Sequence, residues 1–222
     1  MLKLKKFCSK EWNRFKEKHL KIFILVLIIF IVAAFLSHFL LVKHPDQAQK
    51  SFFNLAKMLS KKIPVEATIF KKCLLIFYSN SRASLFAILF GFIPFLFFPI
   101  LSPLLNGSSM GIITSILYIK KLKVLPNLVL AVAPHGIFEL PAIFYANSLG
   151  IFLSLQVTKK ILYQNHGQDL LRGTIEEKTE PLLPVLKRIL KTWLSVIVPL
   201  LFMAAVTETF VTPILAEIFL KR

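Results

Sequence analysis

Charged residues are scarce in this sequence, and their scarcity excludes an ordinary soluble domain. Only 18% of the 222 residues are Asp, Glu, Lys or Arg, and 56% are hydrophobic. Soluble domains usually have about a quarter charged residues and could not bury this much apolar surface at this length. The apolar runs are continuous, whereas an outer-membrane barrel would alternate in segments of about ten residues. The composition predicts an all-α, polytopic helical membrane bundle.

Cysteine is also scarce. Cys8 and Cys73 lie on separate segments, and no C-x-x-C pattern is present. This usage indicates neither a disulfide framework nor a thiolate metal site.

Acidic residues are few as well: 11 Asp and Glu stand against 28 Lys and Arg, for a net charge of +17. Such a balance can indicate a nucleic-acid partner, but most of the basic residues flank apolar runs. Lysines beside a membrane segment attract anionic lipid headgroups by about 1 kcal/mol each. We therefore predict contact with an anionic bilayer and no nucleic-acid partner.

The first segment, residues 1–21, is strongly basic and has apolar residues at helical spacing. It predicts an amphipathic helix on the membrane surface, with eight basic residues at positions 3, 5, 6, 10, 14, 16, 18 and 21. The following stretch, Ile22–Val42, has 21 residues without Asp, Glu, Lys or Arg, which is long enough to cross a bilayer. The positive-inside rule places the N-terminus in the cytoplasm of a multi-pass plasma-membrane protein.

The remaining chain, 22–222, is predicted to form a single membrane domain with about five membrane segments, some of them broken. Residues 43–72 are Lys-rich with one apolar face, which predicts a linker that includes a helix lying at the membrane interface. Residues 156–191 are polar and of mixed charge, which predicts a solvated loop.

The apolar region 73–119 is too long for a single membrane crossing, because a helix of that length would extend well beyond the bilayer. Pro94, Pro99, Pro103 and the Asn106-Gly107 pair are the predicted places for a turn. Gly107 and Gly111 form a G-x-x-x-G pair, which allows close helix packing and predicts a partner-contact surface.

Six polar residues lie in or beside the apolar segments. Ionisable groups at membrane depth cost a few kcal/mol and normally face the bundle interior and pair with each other. We predict a polar intramembrane site from these residues: Asn80, Arg82, Asn106, His135, Glu139 and Glu208. For Arg82 two roles are open, a counter-charge in this site or an anchor that reaches the lipid headgroups.

The segment "APHGIFELPAIF", residues 133–144, combines two of these groups with helix breakers. Pro134 and Gly136 disfavour a regular helix through His135, so the helix is predicted to begin either near Ile137 or at Pro141. Both alternatives place His135 and Glu139 at a helix terminus. Pro213 is predicted to disturb the helix around Glu208 in the same way, so the site would be built from broken or re-entrant helices.

Four motifs occur in order: "YSNSRASLFAILFG" (78–91), "NGSSMG" (106–111), "PHGIFELPA" (134–142) and "TETFVTP" (207–213). In these motifs the chain resembles the stage II sporulation protein M family, over about residues 70–215. The resemblance implies a helical membrane protein with about five spans. Sporulation members of the family are regarded as scaffolds that recruit peptidoglycan-degrading partners. Other members accompany the maturation, export and immunity machinery of circular bacteriocins, together with a transporter-type ATPase.

Three functional interpretations remain open. The first, which we favour, is a non-enzymatic component of an export, maturation or envelope-remodelling complex, with other membrane proteins or a second copy of the chain as partners and no resident cofactor. The second is an intramembrane hydrolase or peptide cyclase in which His135, Glu139 and Glu208 hold a catalytic zinc, or in which His135 acts as a base. Neither an H-E-x-x-H zinc signature nor a G-x-S-x-G nucleophile motif supports the enzyme. In the third, the polar residues only hold helices together.

Overall fold

The structure, a computed structural model, describes residues 9–64, 66–94, 97–165 and 181–220. Over these ranges it contains helices and turns and no β-strand. The seven helices there are α1 (Ser9–Val42), α2 (Pro45–Lys62), α3 (Ile69–Phe92), α4 (Phe97–Ile119), α5 (Val124–Ala131), α6 (Ala133–Asn165) and α7 (182–220).

Within these described ranges, five helices are long and apolar enough to cross a membrane. These segments are Ser9–Val42, Ile69–Phe92, Pro99–Ile119, Ala133–Leu162 and Leu182–Leu215. The predicted all-α polytopic bundle with about five membrane segments is confirmed.

Helix α6 is the central helix of the bundle. In its apolar, membrane-length stretch 61% of the residues are buried, against 11% in that of α1. The outer face of α1 is apolar and exposed. Leu149 and Leu153 of α6 form one cluster with Leu201 of α7 and Ile88 of α3. The other long helices therefore pack around α6, and their outward apolar faces are suited to contact with lipid.

Two pairs of helices approach closely at glycines. On α4, a Cβ added at Gly107 would lie 2.3 Å from the carbonyl oxygen of Phe30 on α1. A Cβ added at Gly111 would lie 2.5 Å from the carbonyl oxygen of Ala34, also on α1. Between α3 and α6, a Cβ on Gly91 would lie 2.3 Å from the carbonyl oxygen of Gly150. Real side chains do not fit at such distances. Because α1 already covers Gly107 and Gly111, these glycines are not an outward surface for a partner protein, contrary to the prediction.

We expect Gly111→Ala to destabilise the protein by about 1–3 kcal/mol, because the added methyl group must push α1 and α4 apart. Gly136→Ala is the matched control. Its Cβ would meet Val132 and Leu140 side chains at 3.5 Å and 3.7 Å, which are ordinary contacts. Alanine also has the higher helix propensity, by about 1 kcal/mol. Thermal unfolding of both variants in detergent, followed by gel filtration, measures the difference; equal melting temperatures would contradict the close α1–α4 contact.

Within residues 73–119 the chain turns at Pro94, which is one of the predicted places for a turn. The last turn of α3 is a 3-10 turn, Ile93 is extended, and α4 begins at Phe97. The predictions of a turn at Pro99, Pro103 and Asn106-Gly107 are wrong, because all four residues lie inside α4. An Asn-Gly pair favours a turn only locally, and here the close packing of Gly107 on α1 outweighs that preference.

The basic N-terminal segment is continuous with the first membrane helix from Ser9 onward, and residues 1–8 lie outside the described residues. Glu11 is buried; it accepts a hydrogen bond from Thr192 of α7 at 2.9 Å and pairs with Arg14 at 2.8 Å. His19 is also buried and packs edge-on against Phe152 of α6. Residues 9–21 therefore belong to the bundle and do not form a separate helix lying on the membrane surface.

Segment 43–72 contains a helix, as predicted, whereas the predicted loop 156–191 contains more helix than expected. In 43–72, helix α2 covers Pro45–Lys62, and α3 begins at Ile69. In 156–191, α6 continues to Asn165 and α7 begins at Leu182, whereas residues 166–180 lie outside the described residues. The helices extend into this polar stretch because Val157 and Val185 bury their side chains in the core.

Candidate functional site

Three ionisable residues from two helices meet within the bundle. His135 and Glu139 lie one turn apart on α6, and Glu208 lies on α7. Each offers one ligand atom, a ring nitrogen or a carboxylate oxygen, and these three atoms lie within 4.8 Å of one another. All three side chains are partly buried. The structure thus brings together three residues that are up to 73 positions apart in the sequence.

The helix that carries His135 begins earlier than predicted. Both predicted starts, near Ile137 and at Pro141, are wrong, because α6 begins at Ala133 and continues through Pro141. Pro134 is tolerated because residues of the first turn need no amide donor. The helical geometry is irregular instead at Val132, between α5 and α6, where φ is −113°. The irregularity is confined to one residue, three positions before His135, because the amide of Val132 still donates to Leu128 and that of Gly136 to Val132.

Glu208 lies in a second irregular segment, the π turn Thr207–Val211 of α7. The hydroxyls of Thr207 and Thr209 donate to the carbonyls of Met203 and Ala205 four residues earlier. Pro213 has no amide hydrogen for the carbonyl of Thr209. These features weaken regular α-helical bonding, and π turns in helices are frequent at functional sites.

Asn80 connects a third helix to the cluster. Its side-chain nitrogen donates to Oε1 of Glu139 at 3.1 Å. Asn80 is the twelfth of the 24 residues of α3, so the site lies about half-way along a helix of membrane-spanning length.

Thr212 holds the imidazole of His135 and was not predicted from the sequence. Its Oγ1 lies 3.4 Å from Nδ1 of His135 and donates to the carbonyl of Thr207 at 3.3 Å. The direction of the bond to Nδ1 depends on the tautomer of His135; in the tautomer protonated at Nδ1, Thr212 accepts and Nε2 has a free lone pair. The spacing of Thr212, four residues after Glu208, is the sequence signal that places both on one face of a helix.

Arg82 and Asn106 make their contacts elsewhere. The exposed guanidinium of Arg82 lies over the rings of Tyr78 and Phe86 on its own helix, 5.8 Å and 6.0 Å from their centroids. Asn106 is exposed and donates to the carbonyl of Ser102 at 3.0 Å. Among the described residues, no lysine or arginine forms an ion pair with Glu139 or Glu208. The observed contacts of Arg82 fit an anchor that reaches the lipid headgroups. They do not include either carboxylate of the cluster, as a counter-charge would.

The family model described as stage II sporulation protein M matches residues 22–213. The chain belongs to this family. The match covers most of the first and fifth membrane-length helices, all of the other three, and every residue of the cluster. Membership together with the five apolar helices establishes a membrane protein. Comparison with curated proteins and with solved structures gives no match.

We expect Asn80→Ala to lower the free energy of unfolding by about 1–3 kcal/mol, because Glu139 then loses its side-chain donor inside the bundle. Asn106→Ala is the matched control; it removes an exposed bond within one helix and should stay within about 0.5 kcal/mol of the wild type. Thermal unfolding in the same detergent compares the two. Similar losses in both variants would show that the Asn80–Glu139 bond does not contribute to stability.

Proposed function

We propose that the chain is a non-enzymatic membrane subunit of an export, maturation or envelope-remodelling assembly, and that its polar site binds a ligand on which the assembly depends. The observation that best supports this proposal is the convergence of His135, Glu139 and Glu208 in helices of membrane-spanning length. Family membership supports the assembly role, because the resemblance implies scaffolds and export components.

The charges of the site favour a bound ligand over a purely structural role. Two carboxylates held this close repel each other, and burial strengthens the repulsion. A proton, a metal ion or a cationic group of a peptide would relieve it. Polar residues that only join helices usually pair donor with acceptor, as Thr192 does with Glu11 in the same bundle.

The cellular setting is part of the same proposal. We propose the plasma membrane, with a cytoplasmic N-terminus, because basic residues accumulate before the first span. These residues favour an anionic leaflet. A transporter-type ATPase, another membrane protein or a second copy of the chain would be the protein partner.

The metal-like arrangement of the three ligands favours a second candidate, an intramembrane metal-dependent hydrolase or peptide cyclase. A metal held by three protein ligands can activate a water molecule in its open position. The residues of the cluster would then be catalytic, and the protein would change the covalent structure of its substrate.

The two candidates predict different products in cells that lack the chromosomal gene and carry a plasmid copy. We expect Glu139→Gln to leave export or envelope peptides fully processed but retained in the cell, because a non-enzymatic subunit acts on their location. Peptide mass spectrometry of cells and medium measures both properties. Glu66→Gln is the control, because Glu66 is exposed in the turn before α3.

Accumulation of unprocessed peptides in Glu139→Gln would instead support the enzyme. The same strains test assembly by cross-linking and affinity purification. The wild type and Glu66→Gln should each recover an ATPase or a peptidoglycan hydrolase in stoichiometric amounts. A chain that recovers neither, and whose variants secrete peptides normally, would contradict the assembly role.

A further inference from the structure

We propose that His135, Glu139 and Glu208 are the ligands of a divalent transition metal, with zinc the best match, held near the start of α6 and beside Asn80 at the middle of α3. This inference deepens the proposed function, because it names the ligand of the same polar site. It stands on the geometry of the cluster, on its charge and on the contacts that orient each ligand.

The ligand types select the class of metal. One imidazole and two carboxylates suit zinc and neighbouring transition metals, whereas magnesium and calcium prefer oxygen ligands alone. Two carboxylates also balance the charge of a divalent ion, and a neutral imidazole adds none. The complex is therefore formally neutral, which is the cheapest form to bury among apolar helices. A monovalent ion would leave one negative charge uncompensated.

The distances fit this assignment after small side-chain adjustments. Ligands about 2.0–2.1 Å from a tetrahedral zinc are roughly 3.3 Å apart. The three ligand atoms here lie within 4.8 Å of one another before any ion draws them together. His135 and Glu139 are four residues apart on α6, so both project from one face, and Glu208 approaches from α7.

Two neighbouring side chains orient the ligands as outer contacts do in known metal sites. Thr212 lies at hydrogen-bond distance from Nδ1 of His135, and in the tautomer protonated at Nδ1 this contact leaves Nε2 to bind the metal. Asn80 donates to Oε1 of Glu139, which leaves Oε2 available. Such contacts fix the rotamer and tautomer of a ligand, and their loss typically lowers metal affinity about 10–100-fold. Three protein ligands leave a fourth position for water or for a group of a partner.

The test uses the full-length chain in detergent, with the affinity tag removed so that it contributes no histidines. After treatment with a chelator, the protein is titrated with Co²⁺, whose visible absorption reports the coordination, and Zn²⁺ is added to compete. We expect one metal ion per chain in the wild type. X-ray absorption of the zinc-loaded wild type should show nitrogen and oxygen ligands at about 2.0–2.2 Å, including one imidazole and no sulfur.

Glu208→Gln keeps the size of the side chain and removes its charge, and His135→Asn removes the imidazole. We expect each to bind zinc at least about 100-fold more weakly, and Asn80→Ala about 10–100-fold more weakly. His44→Gln and Glu66→Gln are the controls, because both residues are exposed and lie outside the cluster. Gel filtration and thermal unfolding establish that each variant is folded, and zinc should raise the melting temperature of the wild type and the controls only.

A wild type that binds neither metal would overturn the proposal, as would Glu208→Gln and His135→Asn variants that titrate like the controls. If the variants fail to fold, the absorption spectrum of the wild type decides alone, since sulfur ligands or the lack of an imidazole contradict the assignment. A negative result leaves the assembly role standing, because partner recovery is measured separately in cells. Stoichiometric zinc with no recovered partner would instead remove the assembly role and keep the metal site.

Discussion

Polar groups inside an apolar bundle must find their partners within the protein, and this constraint shapes the whole molecule. Water is not available at membrane depth to satisfy a stray carboxylate, amide or backbone carbonyl. The central helix α6 therefore carries the cluster at one end, while its middle is filled by Leu149, Leu153 and small residues. Glu11 follows the same rule at another place, where Arg14 and Thr192 satisfy it. Both polar groupings involve α7, so this helix joins the polar and the apolar parts of the core.

Close packing of α3 on α6 is what allows Asn80 to reach Glu139. The contact between Gly91 and Gly150 and the hydrogen bond from Asn80 to Glu139 are eleven residues apart on each helix. Eleven residues are about three turns, so both contacts lie on the same face, and their equal spacing means that the two helices run parallel. A side chain at either glycine would separate the backbones and lengthen the hydrogen bond three turns away. The glycine contact is thus a remote support of the site, although neither glycine touches it.

The members of the cluster could be predicted from the sequence because burying an ionisable group is costly wherever it occurs. His135, Glu139 and Glu208 stand out in apolar segments for this reason, and Asn80 accompanies them. The exact start of α6 could not be predicted from Pro134, since a proline breaks the interior of a helix but fits its first turn. Asn106 and Arg82 were included because they are polar residues in apolar segments. Whether such a residue faces the bundle or the lipid depends on the rotation of its helix, which tertiary packing sets.

The balance of donors and acceptors separates a binding site from a structural contact. Within the described part of the chain, Asn80 is the side-chain donor recorded for the two carboxylates, which together present four oxygens. Nδ1 of His135 faces Thr212, and in the tautomer protonated there the imidazole has a free lone pair on Nε2. A site built only to join helices would supply donors for these oxygens, as Thr192 and Arg14 do for Glu11. An excess of acceptors around one point is the arrangement that a cation completes, and one of these acceptors, Glu208, lies in the π turn Thr207–Val211.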